Sequence, residues 1–403
     1  LRGLAGEAYQ DNAVFQELYS WYLQSPEYRI LVKKLTEASF SERPSDKIGK
    51  TVAKILYGEI SPYSATRLER FAACAFAHFL QYGLKVTERA EYEFRAMDMG
   101  NVMHMALEKF AAEVRKEGLD WAELTEEERN RIIDSCLDQV SADYGNTILK
   151  SSARNEYMIE RTRRILRRTV WALQEQLKHG AFRPEGFEVR FQGGRIDRVD
   201  IMEEPENNRV YVKVIDYKTG NTSFDLLALY HGLQLQLMVY LDGALQVEKR
   251  KYPDREIVPA GVFYYNVKDP MIQEKIHADM ESINEQMLKK MKMNGLVQAD
   301  DNMSTKIDST MASIPVSLNR DGSFSKRSSV ASRKQFDALG AYVRRKICDI
   351  RESILDGNAA VEPYELGKKN ACTYCPYLTV CGFDRKIPGY EFHRLSSIEE
   401  DAL

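Results

Sequence analysis

The sequence of 403 residues has no long hydrophobic run, no excess of charge of one sign and no signal-peptide pattern at its start. Without about 18 consecutive apolar residues there is no candidate transmembrane helix, and we expect no membrane association. Lys and Arg total 57 against 60 for Asp and Glu, a net charge of −3. Any surface for nucleic acid must therefore be local. The chain begins with Leu1 rather than Met, and we interpret it as a fragment of a longer protein.

Cysteine is scarce and unevenly placed. Three of the six cysteines, Cys372, Cys375 and Cys381, fall within ten residues. In a chain without a secretion signal, this spacing favours a metal site in a reducing compartment, which we expect to be the cytoplasm, over a disulfide framework. Thiolates suit both a structural zinc ion and an iron–sulfur cluster, and the residues alone leave both open. Cys136 and Cys348 lie on predicted helices, and we expect both to be buried.

The remaining composition is that of an ordinary globular protein, with 44% hydrophobic and 29% charged residues. It disfavours a disordered or fibrous chain, and about 150 residues per domain predicts two or three domains. Pro44, Gly58 and Pro62 break up the first part of the sequence. We interpret residues 1–60 as a leader from upstream structure and residues 61–403 as the main domain.

Hydrophobic periodicity predicts helices first and then a sheet. The helical period recurs in 11–24, from Ser64 onward, and in 100–116, 125–148 and 153–179. From Gly186 the period changes to 2, which predicts an antiparallel meander of three strands at 187–191, 195–201 and 210–217. A helix at 226–245 and a buried strand at 260–267 follow. The predicted class is α/β, with a core of helix, three-strand meander, helix and strand, and with added helices.

The last part of the chain is predicted to be mainly helical. Residues 268–296 form a basic helical segment in this prediction, and residues 332–356 form another helix. Between them, 297–331 is rich in Ser, Asp and Asn, with a turn signal at Asp321-Gly322 between two short strand-like runs.

Two aspartates and a lysine give the strongest chemical signal. Asp197 lies on the second predicted strand, and Asp216 and Lys218 lie two residues apart on the third, so the last two share a face. Two carboxylates suit Mg²⁺ or Mn²⁺. A lysine beside such an ion can position water and stabilise charge on a phosphate. The pattern indicates metal-assisted phosphodiester hydrolysis, and the alternative is a solvated Asp and Lys on an edge strand.

The order of the motifs resembles the RecB-type branch of the PD-(D/E)XK nucleases. The residues that carry the resemblance are His104, Asp197, Asp216-Tyr217-Lys218 and Gln236-x-x-x-Tyr240. It implies that the metal is bound by His104, Asp197, Asp216 and the carbonyl of Tyr217, and that Lys218 is catalytic. Gln236 and Tyr240, four residues apart on one helix face, are implied to support the site and the DNA strand. The implied fold is the PD-(D/E)XK nuclease core.

Two further residues lie close to this set in the sequence. Ile196 stands where the family name has a proline, which is usual in this branch. Glu188, on the first predicted strand, is a candidate for an extra carboxylate, and an exposed strand residue is the alternative.

A distant cysteine followed by a C-terminal triplet resembles the iron–sulfur staple of related nucleases. Cys74 lies about 300 residues before the triplet, at the end of Arg67-Leu-Glu-Arg-Phe-Ala-Ala-Cys74. The resemblance implies that Cys74, Cys372, Cys375 and Cys381 bind a [4Fe–4S] cluster. Such a staple would pin the two ends of the domain around the nuclease core, as a long-range crosslink does.

Within this branch, the chain most resembles the nuclease domain of the AddB component of AddAB-type helicase–nucleases. That implies a metal-dependent DNA exonuclease acting on single strands from DNA ends in double-strand break repair by recombination. The implied partner is an AddA-type helicase–nuclease in a heterodimer, and 1–60 becomes the remnant of a helicase-like region. The alternatives are a CRISPR-adaptation exonuclease or a replication helicase–nuclease with the same staple, and a non-catalytic scaffold that binds DNA ends.

Two further motifs are ambiguous or misleading. The segment from Arg161 to Arg168 places five arginines along a predicted helix, which suits either a phosphate backbone or a solvated face. Gly49-Lys50-Thr51 ends like a Walker A motif, but Pro44 occupies the position of its first glycine. We therefore expect no ATP site.

Overall fold

The computed structural model describes residues 13–40, 47–58, 64–89, 96–144, 152–272, 279–387 and 389–397. Helices dominate the first half, and their bounds are α1 (Ala13–Gln24), α2 (Arg29–Phe40), α3 (Lys50–Tyr57), α4 (Ala65–Ala73), α5 (Ala75–His78), α6 (Ala96–Lys116), α7 (Glu126–Asp143) and α8 (Ala153–Lys178). The helix predicted from Ser64 onward begins with Ser64 as its N-cap, because the Ser64 hydroxyl accepts a hydrogen bond from the backbone N–H of Arg67.

The sheet begins with the predicted meander. Its strands are β1 (Arg183–Phe191), β2 (Gly194–Glu204) and β3 (Arg209–Lys218), which pair antiparallel in chain order. Two helices follow, α9 (Leu226–Tyr230) and α10 (Gln236–Lys251), and then β4 (Glu256–Asn266). β4 pairs parallel to β3, and such a pair requires a crossover connection, which the helices supply.

The sheet then extends to six strands in the order β1–β6. The remaining elements are α11 (Met280–Lys290), β5 (Asn294–Gln298), α12 (Met303–Ile307), β6 (Val330–Ala331), α13 (Arg333–Leu355), β7 (Tyr364–Leu366), β8 (Lys369–Asn370), α14 (Leu378–Cys381) and β9 (His393–Arg394). β7, β8 and β9 form a separate small sheet. The predicted α/β class with a helix–meander–helix–strand core is confirmed.

A hydrophobic core lies on each face of the large sheet. One contains the apolar stripes of α6, α7 and α8 and alternate residues of β3, among them Tyr211 and Ile215. The other contains α3, α4, α10 and α13 and the intervening β3 residues, including Val212 and Val214. The near-continuous apolar run of β3 follows from this burial on both faces. Because Asp216 and Lys218 share the even-numbered face, they lie on the side of α10.

Several predicted elements differ in detail. The helix predicted at 226–245 is two helices, separated at 231–235, where Gly232 has a φ of 79°. The prediction of helix over 268–296 is wrong at both ends, since residues 268–272 are not helical and Asn294–Gln298 is β5. The helix is α11 (Met280–Lys290), and residues 273–278 lie outside the described part. A Cβ on Gly295 would lie 1.9 Å from the Val262 carbonyl oxygen, so only glycine permits this close pairing with β4.

The two cysteines that were expected to be buried differ in their exposure to solvent. Cys136 is buried in α7, whereas Cys348 on α13 is exposed, so that prediction is wrong for Cys348. The buried residues of α13 are Phe336, Val343, Ile350 and Ile354. Cys348 lies two positions before Ile350 and therefore faces away from this stripe.

The expected leader contains one helix that belongs to the core. In α3, Ala53 and Tyr57 are buried in the second hydrophobic core, whereas in α1 no residue is buried. Gly49-Lys50-Thr51 begins α3, and Lys50 pairs with Asp356 at 3.0 Å. Among the helices that the structure describes, none has the length and apolar character to cross a bilayer.

Candidate active site

Strand register brings three carboxylates to one place. In the antiparallel pairing of β1 with β2, the residues on either side of Glu188 pair with the residues on either side of Asp197. Glu188 therefore lies opposite Asp197. The β2–β3 pairing ends with Arg198 and Ile215, so Asp197 and Asp216 face each other one step beyond it. Directly opposite residues on neighbouring antiparallel strands have Cβ atoms about 5 Å apart. Glu188, Asp197 and Asp216 therefore form a row across three strands.

The backbone changes face at this row. Phe187 packs in the first core and Val189 in the second, although residues two apart in a regular strand share a face. Glu188, between them, has a left-handed φ of 51°. A non-glycine residue in this region costs about 1–2 kcal/mol, and such strain is concentrated at functional sites. This change of strand face at Glu188 places its side chain next to Asp197.

His104 approaches this row from α6. Its Nδ1 lies 3.5 Å from Asp197 Oδ2, and its ring meets Tyr217 edge-on with centroids 6.1 Å apart. Gly100, one turn earlier, allows the approach, because a Cβ there would lie 3.1 Å from the Thr219 hydroxyl oxygen. Burial lowers the pKa of His104, which favours the neutral imidazole that binds metals. His104, Glu188 and Asp197 place ligand atoms within 4.8 Å of one another.

Asp216 and Lys218 form a second half of the site with α10. Lys218 Nζ lies 2.5 Å from Asp216 Oδ2 and donates to Gln236 Oε1 at 2.8 Å. The Gln236 amide nitrogen donates to Asp216 Oδ1 at 3.1 Å and to the Tyr240 hydroxyl at 2.8 Å. Asp216 is only 2% exposed. Gln236 thus fixes both members of the Asp–Lys pair, and Tyr240 fixes Gln236.

The two halves are joined through the Asp197 carboxylate. The backbone N–H of Tyr217, the residue between Asp216 and Lys218, donates to Asp197 Oδ2 at 2.7 Å. This contact continues the link between β2 and β3 beyond their last backbone pair. It places Asp197 between the imidazole of His104 and the backbone of the Asp–Lys pair.

Burial dominates the electrostatics of the carboxylates. Desolvation raises the pKa of Asp197, and desolvation together with the nearby Asp197 charge raises the pKa of Asp216. Burial, followed by the charge of Asp197, raises the pKa of Glu188 to about 7, although Arg195 forms an ion pair with it. Three crowded carboxylates with raised pKa values call for a countercharge, which a divalent cation supplies.

The site opens to solvent. It lies in a cleft of about 680 Å³, lined by the residues above together with Asn101, Met105, Glu108, Tyr144 and Thr219. Tyr217 lines the cleft as well, next to the Asp–Lys pair. Oxygen ligands and a neutral imidazole suit Mg²⁺ or Mn²⁺. The cleft can thus hold a divalent cation beside a lysine.

The four predicted cluster cysteines line one small cavity with Pro363, Leu378 and Phe383. The backbone N–H of Phe383 donates to Cys381 Sγ at 3.5 Å. Burial raises the pKa of Cys74, and backbone N–H groups of Ala77 and Phe76 oppose this shift. Over the described residues, the cysteine sulfurs do not form a group of three within 4.8 Å, unlike the ligand atoms of the carboxylate site.

The arginine-rich face of α8 is largely paired with acidic residues. Arg163 lies 2.7 Å from Asp138, Arg164 lies 2.7 Å from Asp269, and Arg167 pairs with Asp134. These three guanidinium groups already have carboxylate partners. The geometry therefore favours the alternative of an ion-paired helix face over a track for phosphates.

Sequence reasoning missed three residues that contact the site. Arg195 pairs with Glu188, and the ring of Tyr264 lies 5.4 Å from Lys218 Nζ. Glu69 on α4 accepts hydrogen bonds from the backbone N–H groups of Leu235 and Gln236. Arg195 is recognisable as the neighbour of Asp197 on its strand, but nothing in the sequence connects Glu69 with a helix about 165 residues later.

Comparison with known proteins identifies the family. Residues 62–382 match the PD-(D/E)XK nuclease superfamily. Proteins named as the B subunit of an ATP-dependent helicase/deoxyribonuclease are similar to this chain: in Lachnoclostridium phytofermentans (40% identical over 97% of this chain and 35% of the relative), Alkaliphilus metalliredigens (35%, over 96% and 36%) and Clostridium acetobutylicum (32%, over 96% and 36%).

The chain spans about a third of the length of these relatives. The resemblance to the AddB component of helicase–nucleases, predicted from the motifs, is confirmed by these matches. The core elements, the row of carboxylates and the matched range agree, and the chain belongs to the PD-(D/E)XK nuclease superfamily.

Proposed function

We propose that this chain is a divalent-metal-dependent deoxyribonuclease that cuts single strands from DNA ends as an exonuclease. The observation that carries the proposal is the convergence of Asp197, Asp216 and Lys218 in one open cleft. Their contacts with His104 and Gln236 support it. The superfamily match supports hydrolysis of phosphodiester bonds as the reaction.

The proposed ligands for Mg²⁺ or Mn²⁺ are Asp197, Asp216, His104 and the carbonyl of Tyr217. We add Glu188, because its carboxylate lies with the ligand atoms of His104 and Asp197 in one group within 4.8 Å. When bound, the ion would lower the pKa of a coordinated water and neutralise charge on the scissile phosphate. The raised pKa values of the carboxylates fit this donor set, since a cation favours their ionised form.

Lys218 is proposed as the catalytic lysine. Its ammonium group is fixed by Asp216, by Gln236 and by the face of Tyr264 at 5.4 Å. A preorganised cation of this kind can orient the attacking water and stabilise charge that develops on the phosphate. Gln236 and Tyr240 would keep the lysine in place, since Tyr240 accepts the second hydrogen bond of the Gln236 amide.

A [4Fe–4S] cluster is the proposed occupant of the cysteine cavity. Four cysteine thiolates suit a [4Fe–4S] cluster and equally a structural zinc ion. The resemblance to nucleases with an iron–sulfur staple favours the cluster, and the position of all four cysteines around one cavity supports it. The N–H to sulfur hydrogen bond at Cys381 also suits a cluster thiolate. We propose a structural role that holds Cys74 and the C-terminal triplet together.

The wider biological role is also a proposal. We infer that the chain acts in double-strand break repair by recombination, in a heterodimer with an AddA-type helicase–nuclease that delivers the single strand. The relatives, named as B subunits of helicase/deoxyribonucleases, support this assembly. We place the nuclease unit at 61–403 with α3 packed onto it and the residues before α3 as a leader, and we place the protein in the cytoplasm, where chromosomal DNA is its substrate.

Degradation of linear and circular single-stranded DNA with Mg²⁺ tests the proposal. We expect linear strands to be shortened, circles to be spared, and both to persist with Asp216→Ala. Lys289→Ala, which removes an exposed lysine paired with Glu285 on α11, is the matched control and should degrade DNA like the wild type. Metal-dependent binding of DNA ends with no cutting by any form would instead support the scaffold alternative.

A further inference from the structure

The N-terminus of α10 is capped by a carboxylate from another helix. The N-cap residue Leu235 has no side chain that can accept a hydrogen bond, and Gln236 is the first residue of the helix. Glu69 Oε1 accepts from the backbone N–H of Leu235 at 2.7 Å and from that of Gln236 at 2.9 Å. The first N–H groups of a helix otherwise lack partners, and a negative charge there interacts favourably with the helix dipole.

The capped residue is the one that organises the active site. The Gln236 side chain contacts Asp216, Lys218 and Tyr240. Glu69 accepts a hydrogen bond from the backbone N–H of Gln236. It therefore fixes the position of the backbone from which the Gln236 side chain extends. Two titratable groups of the site, Asp216 and Lys218, also interact electrostatically with Glu69. A shift of α10 by a fraction of a turn would separate the amide from the Asp–Lys pair.

Glu69 is itself firmly placed. It lies on α4, where Leu68 and Phe71 are buried in the second core. The next residue, Arg70, lies over the ring of Tyr377 at 5.7 Å. Tyr377 lies between Cys375 and Cys381 in the sequence. α4 ends at Cys74. The helix that carries Glu69 therefore joins the cysteine cavity to the nuclease cleft.

We propose that Glu69 is a positioning residue for the nuclease reaction: its carboxylate fixes the start of α10, so that Gln236 holds Lys218 and Asp216 in their reactive arrangement. Glu69 acts through Gln236 and does not itself contact the scissile phosphate. The inference rests on the proposed nuclease function for its kinetic consequence, but the placement of α10 is measurable without activity.

Three variants of the purified chain separate positioning from general stability. Glu69→Ala removes both hydrogen bonds, and Glu69→Gln keeps a neutral acceptor of the same length. Asp279→Ala is the matched control, because Asp279 accepts from the Ser282 N–H at 2.7 Å and caps α11, outside the cleft. Hydrogen–deuterium exchange over residues 233–240 and steady-state cleavage of single-stranded DNA are measured for each.

We expect Glu69→Ala to speed exchange at 235–239 and to lower kcat by about 10-fold to 100-fold with little change in KM, the size of effect that misplaced reacting groups produce. Glu69→Gln should restore most of kcat. Asp279→Ala should speed exchange only near 281–283 and leave kcat unchanged. Wild-type exchange at 235–239 in Glu69→Ala would overturn the inference, as would a kcat no lower than that of Asp279→Ala. If the wild type cuts no DNA, the proposed function fails, while the exchange experiment still decides whether Glu69 positions α10.

Discussion

The Asp197 carboxylate accepts a hydrogen bond of 2.7 Å from the backbone N–H of Tyr217. The same oxygen lies 3.5 Å from His104 Nδ1. One side chain therefore fastens the end of β2 to the Asp216–Lys218 segment of β3 and faces the imidazole of α6. Its structural and metal-binding roles can be separated, because asparagine keeps a hydrogen-bond acceptor but loses the charge.

Asp197→Asn should therefore preserve the fold and weaken metal binding. In metal-free protein we expect thermal unfolding at a temperature no lower than that of the wild type, because burial raises the pKa of Asp197 and its charge is therefore destabilising. Mn²⁺ affinity should fall by at least about tenfold, since one charged ligand is lost. Asp197→Ala should bind Mn²⁺ as poorly and unfold more easily than Asp197→Asn, by about 1 kcal/mol, because the Tyr217 N–H loses its partner. Calorimetric titration and thermal melts give the two quantities. Equal melting of both variants would contradict the structural role.

A larger residue at Gly100 should displace His104. A Cβ at this position would lie 3.1 Å from the Thr219 hydroxyl oxygen, so Gly100→Val pushes α6 away from the end of β3. We expect Mn²⁺ affinity to fall by about tenfold while the helix content stays constant.

Gly340→Val on α13 is the matched control, since the nearest atom to its Cβ would be a flexible arginine nitrogen at 3.5 Å. It should leave Mn²⁺ affinity unchanged. Equal affinity losses in the two valine variants would show that the close approach of α6 is unimportant.

The pH dependence of stability should report on Glu188. Burial raises its pKa to about 7, against about 4.3 in an unfolded chain. The folded protein then holds a proton that the unfolded chain releases, so this group lowers stability as pH rises from about 4.3 to 7. In metal-free protein, Glu188→Gln should raise the free energy of unfolding by on the order of 1 kcal/mol at pH 8 and by little at pH 5.

Urea unfolding of metal-free wild type and Glu188→Gln at both pH values measures this difference. An equal gain at pH 5 and pH 8 would mean that Glu188 is not held protonated by its surroundings. Added Mn²⁺ should reverse the order of stability at pH 8, because the wild type alone then has the full set of carboxylates.

Loss of a single cluster cysteine should remove the iron and loosen the domain. Cys375→Ser leaves three thiolates at the cavity, and opening a loop of about 300 residues costs about 6 kcal/mol by chain-entropy arguments. Cys348→Ser changes an exposed cysteine away from the cavity and serves as the control. We expect iron content and the visible absorption of the cluster to vanish only in Cys375→Ser. Zinc in place of iron in anaerobically purified wild type would contradict the cluster assignment.

The core fold was predictable because its signals are local. Alternation in β2 and the change of period from Gly186 onward indicated the meander, and the apolar run of β4 indicated a buried strand. The interruption between α9 and α10 was missed although Gly232 marks it, because the apolar residues of Leu226–Lys251 continue through the break. β5 escaped prediction since its pairing depends on Gly295, whose close approach to Val262 is a tertiary contact.

The candidate site was predictable where residues sit close in sequence or follow a known order. Asp216, Lys218, Gln236 and Tyr240 lie within 25 residues, and the structure brings them into contact. Glu188 was undecided, because its role depends on a left-handed backbone that no periodicity reveals. Glu69 was missed entirely, since a capping carboxylate from a distant helix leaves no pattern in the capped segment.

Whether the chemistry takes place beside Lys218 is decided by metal-dependent cleavage of single-stranded DNA, comparing Lys218→Ala with wild-type protein, both with spectroscopically intact clusters. The structure places Lys218 Nζ 2.5 Å from Asp216 and 26% exposed in the cleft. We expect wild-type protein to degrade a labelled strand with Mg²⁺ or Mn²⁺ and Lys218→Ala to lose at least about a hundredfold in rate, as when a preorganised charge is removed from an active site. Equal rates for the two proteins would contradict the assignment of the chemistry to this cleft.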